Sequence, residues 1–300
     1  MPAGTITTGN HPKALWPGMH AFFGTTYGEY QEEWRDLVEV QKSSKNYEEE
    51  SLVTGFGQLP VKLEGQGVTY DSETQGYTKR YTHVVWGLGY IVTQEEMEDN
   101  LYEVVSKKRI KRLAFSARQT KENIVANVYN RAFNTSYTGG DAKAMCVTDH
   151  PSTSGSWSNR LTTDADLSEA AIEDLMIQIA QAKNDRGHVI NLKGRKLIIP
   201  SGEMFNAKRI LKSDKQSGTT NNDLNALKGM LDYSVNHYLS DADAWFIQTD
   251  CPNGVQLFER RAMAFTQDND FDTENAKAKV TFRLSVGWTD PRRVFASQGA

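Results

Sequence analysis

The sequence predicts an α+β fold on three observations. Residues 77–92 have the composition of one long strand, residues 93–133 have the pattern of one long helix, and the second half mixes helices and strands without a regular βαβ repeat. The chain has 300 residues, of which 38 % are hydrophobic and 24 % are charged, so it carries enough apolar material for a core. A net charge of -4 gives no global basic footprint of the kind that marks nucleic-acid-binding proteins.

The beginning of the chain is predicted to be largely extended. Residues 1–20 are rich in Gly, Pro and Thr, and we expect an arm that packs on other structure. Trp34, Leu37 and Val38 have helical spacing, which predicts a short helix. Glycines and polar residues cluster at 64–76, which predicts a turn or a flexible tip.

The predicted strand over 77–92 is rich in Tyr, Thr, Val and Trp, which suit a pleated sheet. At roughly 3.3 Å per residue, it would be about 53 Å long. Pairing with the segment near 53–63 would make a hairpin whose root packs on a core and whose tip does not. The apolar face of this strand carries Val84, Trp86, Leu88, Tyr90 and Val92.

The long helix is predicted to begin at Thr93, where Thr93 and Glu96 fit a capping box. Acidic residues fill the first turns, and basic residues follow between Lys107 and Lys121. About forty residues without Gly or Pro would form a rod of roughly 60 Å, whereas a compact globule of this chain length is roughly 50 Å across. The subunit is therefore predicted to be flat or elongated, with neighbouring chains covering what it leaves exposed.

The second half has a more conventional pattern. A helix follows Asp166 or Ser168 as its cap and stops at Gly187. We also expect a buried strand in "RKLIIPSG", helices in "EMFNAKRILKS" and "DLNALKG", strands on both sides of "CPNG", and a long closing strand from Lys277 to Val286.

The sequence favours no catalytic or metal site, and we expect no cofactor. Asp268, Asp270 and Asp272 resemble the start of a calcium loop, but Thr273 and Lys279 stand where that loop needs Gly and Glu. The histidines lack metal-binding spacing, and the glycines lack the order of a nucleotide-binding loop.

Two further features narrow the class of protein to which the chain can belong. Cys146 and Cys251 are far apart and in no CxxC pattern, which favours a reducing site of synthesis and leaves one disulfide open. No apolar run approaches the roughly 18–20 residues that span a bilayer, so no membrane partner is expected.

The basic run of the long helix is the one charge feature above background. Two interpretations stay open: a face turned toward nucleic acid or toward acidic patches on neighbouring chains, or a solvated helix face. The run includes Lys107, Lys108, Lys111, Arg112 and Arg118.

Several segments, in their joint order, resemble the major capsid protein of tailed bacteriophages, which has the Hong Kong 97-type capsid fold. Each segment is weak as a motif, but the order is specific and covers nearly the whole chain. The segments are "SLVTGFGQLPVKLEGQGVTYDSETQGYTKRYTH", "VTQEEMEDNLYE", "GSWSNRL", "DADLSEAAIEDLM", "FNAKRILKS", "NNDLNALKG", "VNHYLSDADAWFI" and "FDTENAKAKVTFRLSVGWTDPRRVF".

The resemblance implies a division of the chain and a mode of assembly. Hexamers and pentamers of one chain would tile an icosahedral shell around double-stranded DNA, with each hairpin lying across a neighbour. The implied parts are an N-terminal arm at 1–50, a long β-hairpin called the E-loop at 51–92, a peripheral domain at 93–160 and 255–300 with its spine helix at 93–133, and an axial domain at 161–254.

The resemblance also implies which residues meet other molecules. Inter-subunit contacts are expected at Trp16, Phe22, Phe23, Gly65, Gly67, Tyr70, Tyr77, Lys79 and Arg80. The basic run, at Lys107, Lys108, Lys111, Arg112 and Arg118, would face the lumen or a neighbour. Implied partners are copies of the chain, packaged double-stranded DNA without sequence specificity, a separate scaffold protein, a portal and a decoration or cement protein. The implied location is the virion capsid, assembled in the host cytoplasm.

Two departures from the family's pattern matter. Many relatives carry an N-terminal scaffolding segment that a protease removes, whereas this chain begins at the arm, so either a separate scaffold serves it or the sequence is the mature form. Some relatives form Lys–Asn crosslinks between subunits. Lys62 and Lys79 lie on the hairpin, but no partner Asn or assisting Glu can be matched, so this chemistry is not expected here.

Two alternatives remain. Within the same fold, the chain could be the encapsulin-like shell protein of a bacterial nanocompartment, which encloses cargo enzymes instead of a genome. In a different class, it could be a soluble α+β enzyme with an active site in the axial half.

Overall fold

The computed structural model describes residues 23–25, 27–28, 31–93, 95, 102–216, 224–270 and 275–300, and of 102–107 and 269 it describes the backbone alone. Trp16, Phe22, Asp272 and the Glu96 half of the predicted capping box lie outside these residues.

Twelve strands and, from Tyr102 onward, three α-helices are present in the described part of the chain. In chain order they are β1 (Glu39–Lys42), β2 (Tyr47–Thr54), β3 (Thr74–Thr82), β4 (Val84–Val92), α1 (Tyr102–Asn130), β5 (His150–Ser152), β6 (Gly155–Trp157), α2 (Glu169–Ala180), β7 (Gly194–Pro200), α3 (Met204–Lys212), β8 (Asp232–Asn236), β9 (Trp245–Thr249), β10 (Val255–Asn269), β11 (Ala276–Trp288) and β12 (Val294–Ser297). Short 3-10 helices lie at Trp34–Asp36, Ser201–Glu203 and Pro291–Arg293.

Four strands form what we call the long sheet, in the order β1, β10, β11, β4. β11 is antiparallel to both of its neighbours, and β1 is parallel to β10. Side chains alternate along β11, so that Ala278, Val280 and Phe282 are buried while Lys279 is exposed. We call the face with the buried side chains the inner face and the opposite one the outer face.

Helix α1 packs on the inner face of the long sheet. It contains 29 residues, which at 1.5 Å per residue makes a rod of about 44 Å. Its buried side chains recur at spacings of three and four, as at Ile110, Leu113, Ala114 and Ala117, and they pack against Val280 of β11. The predicted long helix is confirmed over these residues, while its predicted beginning at Thr93 precedes a segment outside the described ones.

The second sheet, which we call the short sheet, has the order β12, β9, β7, β8. Helices α2 and α3 cover it, with Ile172 and Leu175 of α2 and Leu211 of α3 in its core. The Ser168 hydroxyl accepts a hydrogen bond from the amide of Ala171, so Ser168 caps α2. The predicted helices α2 and α3 and the strand in "RKLIIPSG" are confirmed, but α2 ends at Ala180 and not at the predicted Gly187.

The prediction of a single strand over 77–92 is wrong. The strand is interrupted at His83, and the two strands on either side of it belong to different sheets. β3 pairs with β2 in a hairpin, whereas β4 pairs with β11 at the edge of the long sheet. The buried His83 ring lies 3.0 Å from both the Ser43 and the Ser285 hydroxyls, and these contacts fix the break. Of the predicted partner segment 53–63, Val53 and Thr54 alone pair with β3.

Two other elements differ from the sequence prediction. The "DLNALKG" segment forms turns at 226–230, because the Asn225 side chain bonds to the Ile210 carbonyl and the Leu227 amide and so replaces helical backbone bonds. The last strand, β12, leaves the long sheet after β11 and joins β9 of the short sheet. Val294 of β12 also lies in the core that α1 shares with the long sheet, so one core connects the two sheets.

Candidate assembly surface

The hairpin of β2 and β3 ends in a connecting segment, residues 55–73, which we call the hairpin tip. The amide of Gln66 donates to the Leu63 carbonyl at 3.2 Å, which closes a tight turn. Gly65 has φ of 81° in this turn, a left-handed conformation that glycine adopts without steric cost. Gly67 follows with open space around its Cα. Of the two predicted tip glycines, Gly65 therefore shapes the turn, and Gly67 follows it.

The hairpin tip exposes large apolar side chains. Leu59, Val61 and Tyr70 are 97 %, 89 % and 90 % exposed, and Leu63 and Val68 are also exposed. Five large apolar side chains exposed within one segment of this length indicate an interaction site.

One ion pair ties the hairpin tip to the second half of the chain. Asp71 Oδ2 accepts hydrogen bonds from the Gly57 amide at 2.8 Å and from Arg186 Nη1 at 2.6 Å. The amides of Gly57 and Ser72, together with Arg186, hold the pKa of Asp71 below its usual range. Arg186 lies in the loop after α2, so the tip rests beside the half of the chain that builds the short sheet.

Side chains at the root of the hairpin form hydrogen bonds with other residues of the same chain. Lys79 Nζ donates to the Thr138 carbonyl at 2.6 Å, and burial lowers the pKa of this lysine. Arg80 Nε donates to Glu49 Oε1 at 2.7 Å across the hairpin. Tyr77 remains exposed. Arg80 is exposed as well, with 58 % of its side chain accessible, so Tyr77 and Arg80 both have surface to offer a neighbour, whereas Lys79 is half-buried.

Strand β4 is a second exposed apolar element. It is an edge strand of the long sheet, and Val84, Val85, Leu88 and Ile91 are all exposed. An edge strand with apolar side chains on both faces invites pairing with other chains unless another element covers it.

A groove of about 500 Å³ runs between the C-terminal half of α1 and the strands beside it. Its lining includes Trp86 of β4, Ile124 and Val128 of α1, Tyr137 and Trp288. Sequence reasoning missed this groove because its walls come from segments far apart in the chain, which only sheet pairing brings together.

The basic run of α1 does not form one face. Lys108, Lys111 and Arg112 are exposed, whereas Arg118 is buried, and the side chain of Lys107 lies outside the described part. Because α1 packs on the long sheet, positions 118 and 121 point into the protein. The expectation of a surface role for Arg118 is therefore corrected.

The expected inter-subunit contact at Phe23 is also corrected. The structure places it in the chain's own core, 6 % exposed, with its ring centroid 5.0 Å from that of Phe265. It also packs in the cluster that contains Ile110 and Leu113 of α1. This side chain therefore contributes to the fold of the chain and offers little surface to a neighbour.

The described residues offer no metal site. No cluster of three or more His, Cys, Asp or Glu side chains that could hold a metal occurs in that part of the chain. Cys146 and Cys251 are both buried free thiols, and burial raises the pKa of each. No α-helix in the described ranges is both long and apolar enough to cross a membrane.

Comparison with known proteins gives the same fold. The chain is similar to the capsid structure of the cyanophage P-SCSP1u, with a TM-score of 0.58 and 12 % identity over 89 % of this chain and 88 % of that one. It is similar to a structure from Mycobacterium phage Patience, with a TM-score of 0.57 and 9 % identity over 98 % and 89 % of the two chains. The virus-like particle of Pyrococcus furiosus matches with a TM-score of 0.56 and 11 % identity over 94 % of this chain and 99 % of that one.

No curated protein sequence matches the chain. The family model described as phage capsid protein matches residues 76–297, which is more than half of the sequence. The resemblance inferred from the sequence is thereby confirmed, and the α+β elements described above are those of the Hong Kong 97-type fold. The chain belongs to the phage capsid protein family and is a structural protein of a virion capsid.

Proposed function

We propose that this chain is the major capsid protein of a tailed phage, and that hexamers and pentamers of it close an icosahedral shell around double-stranded DNA. The observation that carries this proposal is the exposed apolar hairpin tip on a chain of the phage capsid family. Burying a valine or leucine side chain contributes about 1.5–3 kcal/mol, and the tip presents several such side chains that its own chain leaves uncovered. Copies of the chain are the partners that a shell supplies.

The proposed inter-subunit contacts centre on the hairpin. Gly65 shapes the turn that presents the tip, Gly67 follows this turn, and Tyr70 and Tyr77 contribute exposed area. Lys79 and Arg80 hold the hairpin root in place through their contacts within the chain. Trp16 and Phe22, from the arm, join the same interface in this proposal.

The lumenal role of α1 rests on three side chains. Lys108, Lys111 and Arg112 are exposed within one turn and a half of the helix. Cations on one helix face bind phosphate groups without sequence specificity, and salt weakens that binding. Packaged double-stranded DNA is the polyanion that a phage shell encloses.

The remaining parts of the proposal follow from the family. Assembly takes place in the host cytoplasm with a separate scaffold protein, a portal and a decoration or cement protein. The chain divides into an arm, an E-loop, a peripheral domain that contains α1 and the long sheet, and an axial domain that contains most of the short sheet.

Electron microscopy of the purified protein tests the proposal. Wild-type protein is expected to form closed shells, and a variant in which a short Gly-Ser turn replaces residues 58–70 is expected to fold as capsomers or monomers that do not close. A solitary, well-folded monomer at working concentrations would contradict the proposal. Nucleic-acid content then separates a genome-filled head from a nanocompartment, whose shells would hold protein cargo.

A further inference from the structure

Glu122, in the C-terminal half of α1, is a fully buried acidic residue that the proposed function does not use. Its exposed fraction is 0 %. Oε1 accepts a hydrogen bond from the Glu33 amide at 3.0 Å, whereas Oε2 has no hydrogen-bond partner among the described residues. An unpaired oxygen of this kind is costly to bury when the carboxyl group is ionised, so its presence in the core calls for an explanation.

The amide that binds Glu122 belongs to a segment that runs between α1 and the short sheet. We call this segment, residues 31–38, the strap. Besides the bond from Glu33 to Glu122, the strap contacts α1 through the Trp34 ring, whose centroid is 4.0 Å from Lys121 Nζ. Trp34 is itself buried, so this side of the strap is closely packed against the helix.

The other side of the strap is bonded to the short sheet and to the loop after β8. Asp36 accepts hydrogen bonds from Lys196 Nζ of β7 at 2.8 Å and from the Ser234 hydroxyl of β8 at 2.9 Å. The Glu33 carboxylate accepts from the His237 backbone amide at 2.9 Å, and His237 Nδ1 lies 2.7 Å from Glu33 Oε1. Glu33 therefore bonds to α1 through its backbone and to the loop after β8 through its side chain.

The groups that face Glu122 carry both signs of charge. Arg118, one turn earlier in α1, lowers the pKa of the Glu122 carboxyl group, and the Glu33 carboxylate raises it. Burial is the largest effect, and it raises this pKa above the ordinary value of 4.5. Tyr27 and Tyr238 face the same site, and the pKa of each phenol is raised by burial and in part by Glu122. Further charged side chains in contact with these neighbours are Glu32, Lys121, Glu259 and His237.

The charge on Glu122 works against closure of the strap. A neutral carboxyl group still accepts the Glu33 amide and does not repel the Glu33 carboxylate. An ionised one is a buried negative charge beside a second carboxylate, and Arg118 offsets this cost only in part. If the strap lifts, water reaches Glu122 and hydrates the ionised form. The closed strap therefore binds the proton more strongly than the open strap does, and it is held most firmly on the acid side.

We propose that Glu122 is a proton-controlled latch, whose neutral form holds the strap between α1 and the short sheet and whose ionised form lets the strap open more often. The latch works within a single chain and does not depend on a shell. It makes the joint between the two sheets firmer in acid than at neutral pH.

Hydrogen exchange in the full chain tests the latch, because the backbone amides of Glu33 and Trp34 both donate to Glu122. Their protection, corrected for intrinsic exchange rates, should fall several-fold as the pH rises from about 4.5 to about 8. The amide of Ala296, which bonds to the Asn159 carbonyl in the core, is the internal reference for global stability. The fall at Glu33 and Trp34 is measured relative to that amide.

Two substitutions separate titration of Glu122 from other effects of pH. Glu122→Gln keeps an oxygen that accepts the two amides and removes the titration, so the relative protection should become independent of pH. Glu173→Gln, at an exposed position of α2, is the matched control and should keep the pH dependence of the wild type.

A second measurement needs no folded variant at Glu122. In the wild-type chain with ¹³C-labelled glutamate, one carboxyl signal should titrate with a midpoint above 4.5 and in step with the protection of the Glu33 and Trp34 amides. Relative protection that does not fall with pH, a pH dependence that survives in Glu122→Gln, or the absence of such a signal would overturn the latch. None of these results bears on shell formation, and a wild-type chain that forms no shells would contradict the proposed function while leaving the latch intact.

Discussion

Arg186 and Asp71, which are 115 positions apart in the chain, are joined by a hydrogen bond of 2.6 Å between Nη1 and Oδ2. The same guanidinium donates to the Ser72 carbonyl through Nη2. These contacts hold the hairpin tip in one orientation relative to the rest of the subunit. A segment that must meet a neighbour loses less conformational entropy on binding when it is already oriented.

Arg186→Ala is therefore expected to free the tip without unfolding the chain. Proteolytic cleavage within residues 58–70 should become several-fold faster, while the melting temperature stays close to that of the wild type, because exposed ion pairs contribute little to global stability. Limited proteolysis and thermal denaturation measure the two effects. Arg195→Ala, which removes the exposed pair with Asp250, is the matched control, and equal cleavage in both variants would contradict the role of Arg186.

The same tie has a defined pH dependence. The pKa of Asp71 is lowered in the folded chain, chiefly by the Gly57 amide, so the contact is fully present above the ordinary pKa of 3.8 and is lost as the pH falls through the lowered value. Hydrogen exchange of the Gly57 and Ser72 amides, corrected for intrinsic rates, should show constant protection from about pH 5 to pH 8. Protection that disappears near pH 6 would contradict this assignment.

His83 should make the chain less stable in mild acid. Burial, with Arg283 and Arg260 nearby, lowers the pKa of its ring, and the opposing effect of Glu48 is smaller. The unfolded chain then binds the proton more strongly, so stability is complete above the ordinary pKa of 6.5 and falls as the pH decreases toward the lowered value. Urea denaturation at pH 5 and pH 8 should show a smaller pH difference for His83→Gln than for wild type. An unchanged pH difference in that variant would exclude His83 as its source.

Asn159 is expected to be one of the most sensitive positions for stability. Its fully buried side-chain amide donates to the carbonyls of Met145, Pro291 and Val294, and its oxygen accepts from the Val147 amide. Asn159→Ala leaves these groups without partners and should lower the free energy of unfolding by about 2–4 kcal/mol. Asn123→Ala, on the exposed side of α1, should cost no more than about 0.5 kcal/mol in the same urea titration.

Two lysines of the same basic run should respond differently to substitution. Lys121 Nζ is 3.3 Å from Glu259 Oε1 and 4.0 Å from the centroid of the Trp34 ring, whereas Lys111 is exposed. Lys121→Met leaves a largely buried carboxylate without its partner and should destabilise the chain by about 2–3 kcal/mol. Lys111→Met should change stability by less than about 0.5 kcal/mol, as measured by urea denaturation. Equal effects would show that the run behaves as one solvated face.

The sequence alone determined the elements whose signal is local. The spacing of apolar residues in α1, the Ser168 cap of α2 and the alternation in β11 are each encoded within about a dozen consecutive residues, so each could be predicted without knowing its neighbours. The joint order of several segments also identified the capsid family, which the family model confirms over residues 76–297.

The tertiary structure alone decided which partners those elements take. The break at His83 depends on Ser43 and Ser285, and the inward direction of Arg118 depends on the sheet beneath α1. Arg261 of β10 and Arg283 of β11 lie opposite each other because of the register between these two strands. Such contacts link residues that are tens to hundreds of positions apart. Local periodicity carries no information on which strand pairs with which, because the pairing is selected by burial of the whole core.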